Sequence, residues 1–502
     1  MAKRSSGVIL HVSSLPGDFG IGTLGKAAYD FVDFLKAAGF SYWQILPLGP
    51  TGEYNSPYQC YSAFAGNHFF IDPQGLKEEG LLNAMQVDGF KSQESKYEVD
   101  FNWQKAEKKG LLRSAFANIT PQISEEIEEF IIKESYWIYD YALFTALKGK
   151  YKNLPWWEWP EDIKCYETDA VESAREELKE DIYFEYFCQY TFFKQWKELR
   201  EYANNKEIKI IGDMPIYVAH DSADTWSKSG LFEIDGSSRS LKSVAGVPPD
   251  YFSEDGQLWG NPLYDWEKMK ETGYEWWTER LKVTLDMVDV VRIDHFRGFV
   301  AYWAVPADSN TAKNGKWIKG PGAALFDVLK EKFPVESIIA EDLGDITEDV
   351  REFLEYTGLP GMRVMQFAFL DDGNSCHLPH NYCTNTVAYT GTHDNNTVLG
   401  WLWEATEEQR TSALDYCGFE GNNWGDGGYE SKACFVWIKT LFASHSNLAI
   451  IPIQDICGFG GDTRINKPGI ADGNWGFRIT SEAINSINKE KFKRLNHLYK
   501  RV

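Results

Sequence analysis

The stretch VDVVRID, residues 288–294, decides the fold, because its apolar run ends on a carboxylate. SIIAED, residues 337–342, and TVAYTGTHD, residues 386–394, have the same form. A buried parallel strand is read as a continuous apolar run. Barrel enzymes place their catalytic groups just past the C-terminal ends of such strands. The three runs therefore predict one acidic pocket at one edge of a parallel sheet, and its carboxylates are Asp294, Glu341 and Asp394.

Eight candidate strands recur along the chain with helical segments between them. Amphipathic helices are predicted at 27–39, 322–332 and 348–356. Eight alternating repeats favour the α/β class and a (β/α)8 TIM barrel with helical and loop insertions around its C-terminal face. A doubly wound open sheet is the alternative, although no G-x-G-x-x-G turn follows the first strand. The candidate strands are Val8–Val12, Tyr42–Leu48, Ile208–Asp213, Val288–Asp294, Ser337–Glu341, Met362–Phe369, Thr386–Tyr389 and Leu448–Ile453.

Two long insertions are predicted within a single catalytic unit that spans residues 1–502. The segment 75–181 is charged and helix-rich, and we expect a mostly helical subdomain over one side of the barrel mouth. Its PWWEWP stretch, residues 155–160, is bounded by prolines and is interpreted as a hydrophobic clasp. The second insertion, 219–265, is predicted to be an active-site loop region. Its part 246–264 is rich in Pro, Gly and aromatic residues, which predicts an ordered binding loop without helix or strand.

Composition and charge narrow the class of protein. The chain has 502 residues with 51 Lys and Arg against 74 Asp and Glu, a formal net charge of -23. Such an acidic surface repels phosphate backbones, so we expect no nucleic-acid partner. The first apolar run, Val8–Leu10, is too short for a signal peptide, and no run is long enough to span a membrane. The eight cysteines form no C-x-x-C pair, which indicates reduced thiols of a cytoplasmic protein.

The carboxylates and their neighbours predict a division of chemical roles. Arg292 lies two residues before Asp294 and should lower the pKa of that carboxyl, which suits a nucleophile. Glu341 follows an apolar run and precedes Asp342, and both features should raise its pKa, which suits a proton donor. Strand-end salt bridges or helix N-caps are the alternative explanation for each carboxylate alone. Their shared position at three strand ends favours a common catalytic site.

Other polar and aromatic groups are suited to a poly-hydroxyl ligand. His393 precedes Asp394, and this pair could hold sugar hydroxyls and oppose positive charge on a sugar ring. Aromatic residues make up 15% of the chain, which is compatible with sugar recognition and equally with a core of large rings. Turn chemistry explains the Gly and Pro of the loop 49–67 but not its polar and aromatic residues. Further candidates from the loop and the other strand ends are Ser56, Tyr58, Gln59, Tyr61, Asn67, Asp213, Gln454, Asp455, Arg464, Asn466, Asn474 and Trp475.

Long motifs of the chain resemble, in order, those of one enzyme family. They are GVILHVSSLPGDFGIG (7–22), the loop 49–67, GVPPDYFSEDGQLWGNPLY (246–264), VRIDHFRGF (291–299), IIAEDLG (338–344), LPGMRVMQFAF (359–369), GTHDNNT (391–397) and a closing PG–DGNW segment (468–475). This pattern resembles the 4-α-glucanotransferases, also called amylomaltases or disproportionating enzymes, of glycoside hydrolase family 77. The resemblance covers almost the whole chain, although it is weaker over 75–181.

The resemblance implies a retaining α-glucan transferase on a (β/α)8 barrel. Asp294 matches the family nucleophile, Glu341 the acid/base, and Asp394 the residue that stabilises the distorted sugar in the transition state. Further matches are implied on either side of the scissile bond. Those expected to line the subsite of the reacting glucose are Arg292, His393, Asp213 and Asn466. Those expected on the donor and acceptor sides are Ser56, Tyr58 and Trp259.

The implied substrates are α-1,4-glucans, namely maltooligosaccharides, amylose, and starch or glycogen chains. We expect no cofactor, no metal and no membrane, and a monomer or weak homodimer. His377 and His380 are a weak metal candidate, because Pro379 between them disrupts helical ligand geometry. Three alternatives are an amylase-type α-1,4-glucan hydrolase, a non-catalytic glucan-binding protein and a metal-dependent barrel hydrolase. We hypothesise that Tyr251, Phe252 and Trp259 cover the acceptor side and disfavour water.

Overall fold

Twelve strands occur in the computed structural model, which describes residues 3–52, 54–92, 95–249, 254–370, 375–470 and 472–502. Eight of them form one sheet and four form a second. Within the described residues the strands are β1 (Ser5–Ile9), β2 (Tyr42–Gln44), β3 (Lys209–Met214), β4 (Ser243–Val247), β5 (Gln257–Pro262), β6 (Val290–Ile293), β7 (Ala301–Pro306), β8 (Lys316–Lys319), β9 (Ile338–Ala340), β10 (Gly361–Val364), β11 (Thr386–Tyr389) and β12 (Leu448–Pro452).

The eight-stranded sheet is parallel and nearly closed into a barrel. Its strand order is β10-β11-β12-β1-β2-β3-β6-β9, which is the chain order of the eight predicted strands with a circular shift. All seven neighbouring pairs are parallel. Between the two end strands, the Ala340 N–H donates to the Pro360 carbonyl oxygen at 3.0 Å. The predicted (β/α)8 barrel is confirmed, and the open doubly wound sheet is not what forms.

The first strand shows why its predicted bounds, Val8–Val12, were wrong by three residues. Strand β1 begins at Ser5, and Val12–Ser14 forms a 3₁₀ turn. Ser5, Ser6 and Gly7 pair with Leu448–Ile450 and are buried although they are not apolar. A small side chain fits where two strands approach closely. Because these residues are not apolar, a prediction from continuous apolar runs leaves them out of the strand.

Helices surround the barrel and fill most of residues 73–177. The three predicted barrel helices are confirmed at Lys26–Ala38, Ala323–Lys332 and Glu348–Thr357. Phe101–Trp103 and Lys109–Phe116 are joined through a π-helical segment, Gln104–Lys108. The α-helices of the described residues are α1 (Lys26–Ala38), α2 (Pro73–Glu78), α3 (Ala84–Gly89), α4 (Phe101–Trp103), α5 (Lys109–Phe116), α6 (Pro121–Lys133), α7 (Ile138–Lys150), α8 (Glu161–Lys164), α9 (Thr168–Glu177), α10 (Lys179–Asn205), α11 (Ala223–Ser227), α12 (Trp266–Glu271), α13 (Glu275–Met287), α14 (Ala323–Lys332), α15 (Glu348–Thr357), α16 (Val398–Glu404), α17 (Glu407–Tyr416), α18 (Lys432–Ala443), α19 (Ile453–Cys457), α20 (Ser481–Ser486) and α21 (Lys489–Leu498).

Residues 246–264, predicted to hold neither helix nor strand, contain the end of β4 and all of β5. That prediction is wrong, because these strands join β7 and β8 in an antiparallel sheet of order β5-β4-β7-β8. Strand β5 lies at the edge of the sheet, where Pro262 is tolerated, and the register shifts between Val244 and Gly246. The Pro, Gly and aromatic composition of this segment therefore gave no indication that β4 and β5 pair. Tyr251 and Phe252 lie outside the described residues.

The barrel interior is filled by an apolar layer with a polar layer above it. Ile211 of β3 and Val290 of β6 belong to the apolar cluster inside the sheet. Because side chains on a strand repeat their direction every second residue, Asp213 and Arg292 face the same way one step nearer the C-terminal mouth. The other members of the cluster are Ile9, Ile339, Met362, Val364, Val387, Tyr389, Leu448 and Ile450. The apolar layer inside the barrel thus lies beneath the charged groups at its C-terminal mouth and supports them.

Within the described residues, no helix combines the length and the apolar character that crossing a membrane would require. The predicted division into one catalytic unit with insertions at 75–181 and 219–265 stays a prediction.

Gly7 tests the close packing of the barrel strands. A Cβ atom there would lie 2.6 Å from Tyr42 Cβ and 2.7 Å from the Tyr42 carbonyl oxygen. We expect Gly7→Ala to destabilise the protein by about 1–3 kcal/mol through overpacking, seen as a lower thermal unfolding midpoint. Gly110 of α5 has no atom within 4 Å of such a Cβ, so the matched Gly110→Ala should stabilise by about 0.5–1 kcal/mol. Equal effects of the two substitutions would contradict this account of the barrel packing.

Candidate active site

The predicted carboxylates meet in one cleft at the C-terminal mouth of the barrel. Asp294, Glu341 and Asp394 follow β6, β9 and β11, and all three line a cleft of about 2090 Å³. Of the ten residues to which the family resemblance assigns a role, nine line it. Besides the carboxylates, these are Ser56, Tyr58, Trp259, Arg292, His393 and Asn466. The tenth, Asp213, is placed behind the cleft wall with its side chain fully buried.

Arg292 is held between two carboxylates. Its Nη1 donates to both carboxylate oxygens of Asp213 at 2.7 Å, and its Nη2 lies 3.0 Å from Asp294 Oδ1. The Tyr58 hydroxyl donates to Asp213 Oδ2 at 2.6 Å. The guanidinium remains charged, and attraction to its two carboxylates outweighs burial and raises the pKa of Arg292 well above its ordinary value. The network therefore ties the loop that carries Tyr58 to the ends of two barrel strands.

Asp294 has a raised pKa, and the predicted lowering is wrong. Burial, opposed by Arg292 and reinforced by Asp213 and Asp394, raises the pKa of Asp294 to about 6. The sequence pattern predicted correctly that Arg292 lies beside Asp294. It did not predict how deeply Asp294 is buried or that Asp213 and Asp394 lie near it. Because 26% of its side chain is exposed into the cleft, the carboxylate is nevertheless open to a ligand.

Glu341 carries the highest pKa of the three carboxyls. Burial, together with the charge of Asp294, raises its pKa to about 7, although Arg292 and two backbone N–H groups oppose the shift. Those N–H groups belong to His295 and Leu343 and donate at 2.7 and 2.8 Å. The predicted rise is thus found, and burial is its main cause.

The like charge that faces Glu341 is not the predicted one. Asp342, its neighbour in the chain, points elsewhere: it accepts from Met362 N at 2.5 Å and Arg363 Nη1 at 3.0 Å. Successive residues at a strand end face opposite sides, so adjacency in sequence did not mean adjacency in space. Asp294, at the end of the neighbouring strand β6, supplies the repulsion.

His295 is a site residue that the sequence reasoning missed. Its backbone is left-handed, with φ 51° and ψ 51°, directly after Asp294. A non-glycine residue in this region is strained, and such strain concentrates at functional sites. The turn lets the His295 N–H donate to Glu341, and the ring packs edge-on against Trp259 at 4.9 Å between centroids. Its position inside the VRIDHFRGF motif was the one available signal.

Asp394 remains ionised. Burial alone would raise its pKa, but His393, Asn466 and Arg292 outweigh burial and hold the pKa at about 2. Asn466 Nδ2 donates to Asp394 Oδ1 at 2.6 Å, and His393 Nε2 lies 3.3 Å from the same oxygen. Arg464 donates to the Asp394 carbonyl oxygen at 2.5 Å. The site thus holds an ionised carboxylate beside two carboxyls whose pKa values are raised by burial.

Asp455 fixes the loop that presents Asp394. It is buried, accepts from Thr390 Oγ1 at 2.6 Å, and accepts from the Val398 N–H at 2.7 Å. These two contacts grip the loop 390–398 at both ends. Burial raises the pKa of Asp455 to about 6. Its role in the structure is therefore to position the loop.

Ser56 and Tyr58 line the cleft from the loop after β2, and Trp259 lines it from strand β5. Ser56 Oγ accepts the Tyr58 N–H at 3.2 Å, and the Tyr58 ring stacks on His393 at 5.1 Å. The Trp259 indole N–H, on strand β5, donates to Gln257 Oε1 at 3.2 Å. The cleft therefore has polar edges and aromatic faces, the combination that suits a sugar ring.

The described residues contain no cluster of three or more His, Cys, Asp or Glu side chains that could hold a metal ion. The two histidines of the weak metal candidate are engaged separately. His377 Nδ1 accepts the Val364 N–H at 3.1 Å, and His380 Nδ1 lies 2.9 Å from the Tyr416 hydroxyl.

A parallel barrel with three carboxylates at its C-terminal mouth defines a glycosidase-type enzyme. A family model described as 4-alpha-glucanotransferase matches residues 10–484. A 4-alpha-glucanotransferase of Clostridium butyricum is 46% identical over 497 residues, covering 98% of this chain and 100% of that protein. One of Aquifex aeolicus is 45% identical and covers 99% of each chain.

The comparison with solved structures indicates the same family. The structure of the amylomaltase from Streptococcus agalactiae in complex with acarbose superposes with a TM-score of 0.95 at 40% identity. It covers 99% of this chain and 100% of that one. The chain belongs to the 4-alpha-glucanotransferase family, glycoside hydrolase family 77. The predicted transferase is thereby confirmed, and the amylase-type hydrolase is not favoured.

The two raised pKa values predict a narrow pH optimum. If Asp294 is the nucleophile, kcat/KM should rise as pH increases through about 6, because the attacking carboxylate must be ionised. If Glu341 is the proton donor, kcat/KM should fall as pH increases beyond about 7, because Glu341 then loses its proton. The measurement is the initial rate of maltotriose conversion against pH, with stability checked by preincubation. A plateau extending well above pH 7 would contradict this assignment.

Proposed function

We propose that this enzyme transfers α-1,4-glucan segments through a covalent glucosyl-enzyme intermediate. Asp294 attacks C1 of the donor glucose while Glu341 protonates the departing glycosidic oxygen. Glu341, then a base, takes the proton of an acceptor 4-OH, and that oxygen displaces Asp294 from C1 with overall retention of the α linkage. The observation that carries the proposal is the convergence of Asp294, Glu341 and Asp394 in one cleft at the barrel mouth, with Arg292 against Asp294 and Asn466 against Asp394.

The surrounding charges suit this chemistry. The transition state develops positive charge on the sugar ring, and a permanently ionised Asp394 opposes that charge. Arg292 holds Asp294 at 3.0 Å and stabilises its ionised form, which attacks and later leaves. Asp213 neutralises part of the Arg292 charge from behind and keeps the guanidinium in place. We assign His393 and Asn466 to the subsite of the reacting glucose, because both contact Asp394.

The substrate proposed is an α-1,4-glucan: a maltooligosaccharide, amylose, or a starch or glycogen chain. The amylomaltase of Streptococcus agalactiae is in complex with acarbose, and its fold matches over nearly the whole of this chain. The cleft of about 2090 Å³ exceeds the roughly 300–1,000 Å³ of typical small-molecule pockets, so it has room for several sugar units. No cofactor is required by the proposed steps.

Cytoplasmic location and lack of nucleic-acid binding are further parts of the proposal. The eight cysteines are all free thiols, and two of them, Cys376 and Cys383, are exposed, which suits a reducing compartment. The net charge of -23 disfavours nucleic acid. We propose a monomer or weak homodimer.

Maltotriose incubated alone tests the proposed roles. The wild type should produce a ladder of longer and shorter oligosaccharides with little gain in reducing ends. Glu341→Gln should lower the rate by about 10²–10⁴-fold, the usual contribution of general acid–base catalysis, and Asp294→Asn by at least as much. Glu336→Gln, an exposed glutamate just before β9, is the matched control. Retention of most activity in either cleft variant would overturn the assignment.

Trp259 tests how the site favours sugar over water. The ring lies edge-on to His295, whose N–H binds Glu341, so Trp259 is placed beside the proposed acid/base. If its indole holds the acceptor and excludes water, Trp259→Ala should raise hydrolysis relative to transfer, measured as reducing ends released per transfer event. Trp403→Ala, which removes an exposed indole that does not line the cleft, is the control. A ratio equal to that of the wild type would exclude this role for Trp259.

A further inference from the structure

The PWWEWP segment contributes one of its three tryptophans to the cleft. Trp156 and Trp159 are buried, as the clasp interpretation requires, and their indole N–H groups donate to the His220 and Leu154 carbonyl oxygens at 2.7 and 3.0 Å. Trp157 between them stays partly exposed and lines the cleft. Because the flanking tryptophans already attach the segment, packing alone does not explain an indole left open to the cleft.

The Trp157 ring is held flat and in a fixed orientation. It stacks on the His220 imidazole with centroids 3.9 Å apart and planes 7° apart. Trp156 stands edge-on to both rings, at 5.9 Å from Trp157 and 5.5 Å from His220. Burial lowers the pKa of His220 to about 4, so the imidazole is neutral near pH 7. A rigid aromatic plane of this kind presents its surface at little cost in conformational entropy.

Polar groups lie next to this plane. Within the part of the chain that the structure describes, His220 Nε2 is buried without a hydrogen-bond partner, which is costly for a polar atom. Lys148 Nζ lies 2.5 Å from Asp221 Oδ2 and also donates to the Asn153 carbonyl oxygen at 2.9 Å. Lys148, Asn153 and Asp221 all line the cleft. Donors and acceptors beside an aromatic face are what a sugar with hydroxyls around an apolar ring face requires.

The plane is continuous with the catalytic centre. Strand β3 brings Asp213 to the Arg292 network, and the chain then follows the cleft wall from Pro215 to Asp221. At most about 3.3–3.6 Å per residue separates positions along an extended chain, so His220 lies no more than about 25 Å from Asp213. The stacked ring therefore belongs to the same cleft, and the ring contacts of Trp157 among the described residues are with Trp156 and His220 rather than with a group that touches the carboxylates.

We propose that Trp157, stacked on His220, forms a further glucose-binding subsite that takes a distal unit of a longer α-1,4-glucan. The subsite rests on the proposed function, because it is useful only if the cleft holds a glucan chain. It makes the enzyme favour long substrates over short ones. A glucan that reaches only the carboxylates does not contact this plane.

Substrate length provides the test. In Trp157→Ala, the ratio of kcat/KM for maltoheptaose to that for maltotriose should fall about fivefold to tenfold, the size of one lost aromatic contact. Trp157→Phe should restore most of the ratio, whereas Trp157→Leu, which keeps apolar volume but no ring plane, should not. Trp403→Ala should keep the wild-type ratio. Equal ratios in all four variants, or rescue by Leu as complete as by Phe, would overturn the subsite.

Direct binding separates this inference from the mechanism. Calorimetric titration of maltoheptaose into Glu341→Gln should give tighter binding than titration into Glu341→Gln/Trp157→Ala, by the same factor as the kinetic ratio. Equal affinities would overturn the subsite, with thermal unfolding showing whether both proteins are folded. By contrast, a wild type that produces no ladder from maltotriose or maltoheptaose would overturn the proposed function itself.

Discussion

The paired contacts of Arg292 with Asp213 and Asp294 organise the mouth of the barrel. All three groups sit where apolar barrel packing ends, and the guanidinium is almost fully buried. Removing one partner of such a buried pair typically costs about 3–5 kcal/mol, because the remaining charge is left without compensation. Tyr58 depends on the same network through its hydrogen bond to Asp213. Tyr58 and the predicted nucleophile Asp294 are thus both held, directly or through Asp213, by one cation.

Neighbouring groups then separate the pKa values of three carboxyls that burial alone would raise together. Ionising all three carboxyls within one cleft is unfavourable because like charges repel. The groups around each carboxyl differ, so their pKa values differ as well. Asp394 has an imidazole and an amide beside it and keeps its charge. Burial and the charge of Asp294 both disfavour the ionised form of Glu341, so this carboxyl keeps its proton to the highest pH of the three. The strained turn at His295 matters here, because it directs a backbone N–H to Glu341 while leaving the carboxyl facing the cleft.

Segments between the barrel strands extend the cleft beyond the mouth of the barrel. The small antiparallel sheet brings Trp259 next to His295 on one wall. The helical segment between β2 and β3 brings Trp157 onto His220 on another. Both tryptophans are oriented by ring contacts with histidines that follow barrel strands. In both places a tryptophan is set against a histidine on the chain that leaves a barrel strand, edge-on at His295 and stacked at His220.

The sequence by itself determined the barrel and its three carboxylates, because apolar continuity and strand-end position are local properties. Eight strands, three helices and the family motifs could be read without coordinates. Only the tertiary structure decided how deep each group lies and which charge faces it. Burial in the folded chain raises the pKa of Asp294 although Arg292 lowers it. Folding also brings Asp294, rather than the sequence neighbour Asp342, close to Glu341. It also formed strands within 246–264 and opened Trp157 to the cleft. Burial and through-space neighbours come from residues distant in the chain, and no local pattern encodes them.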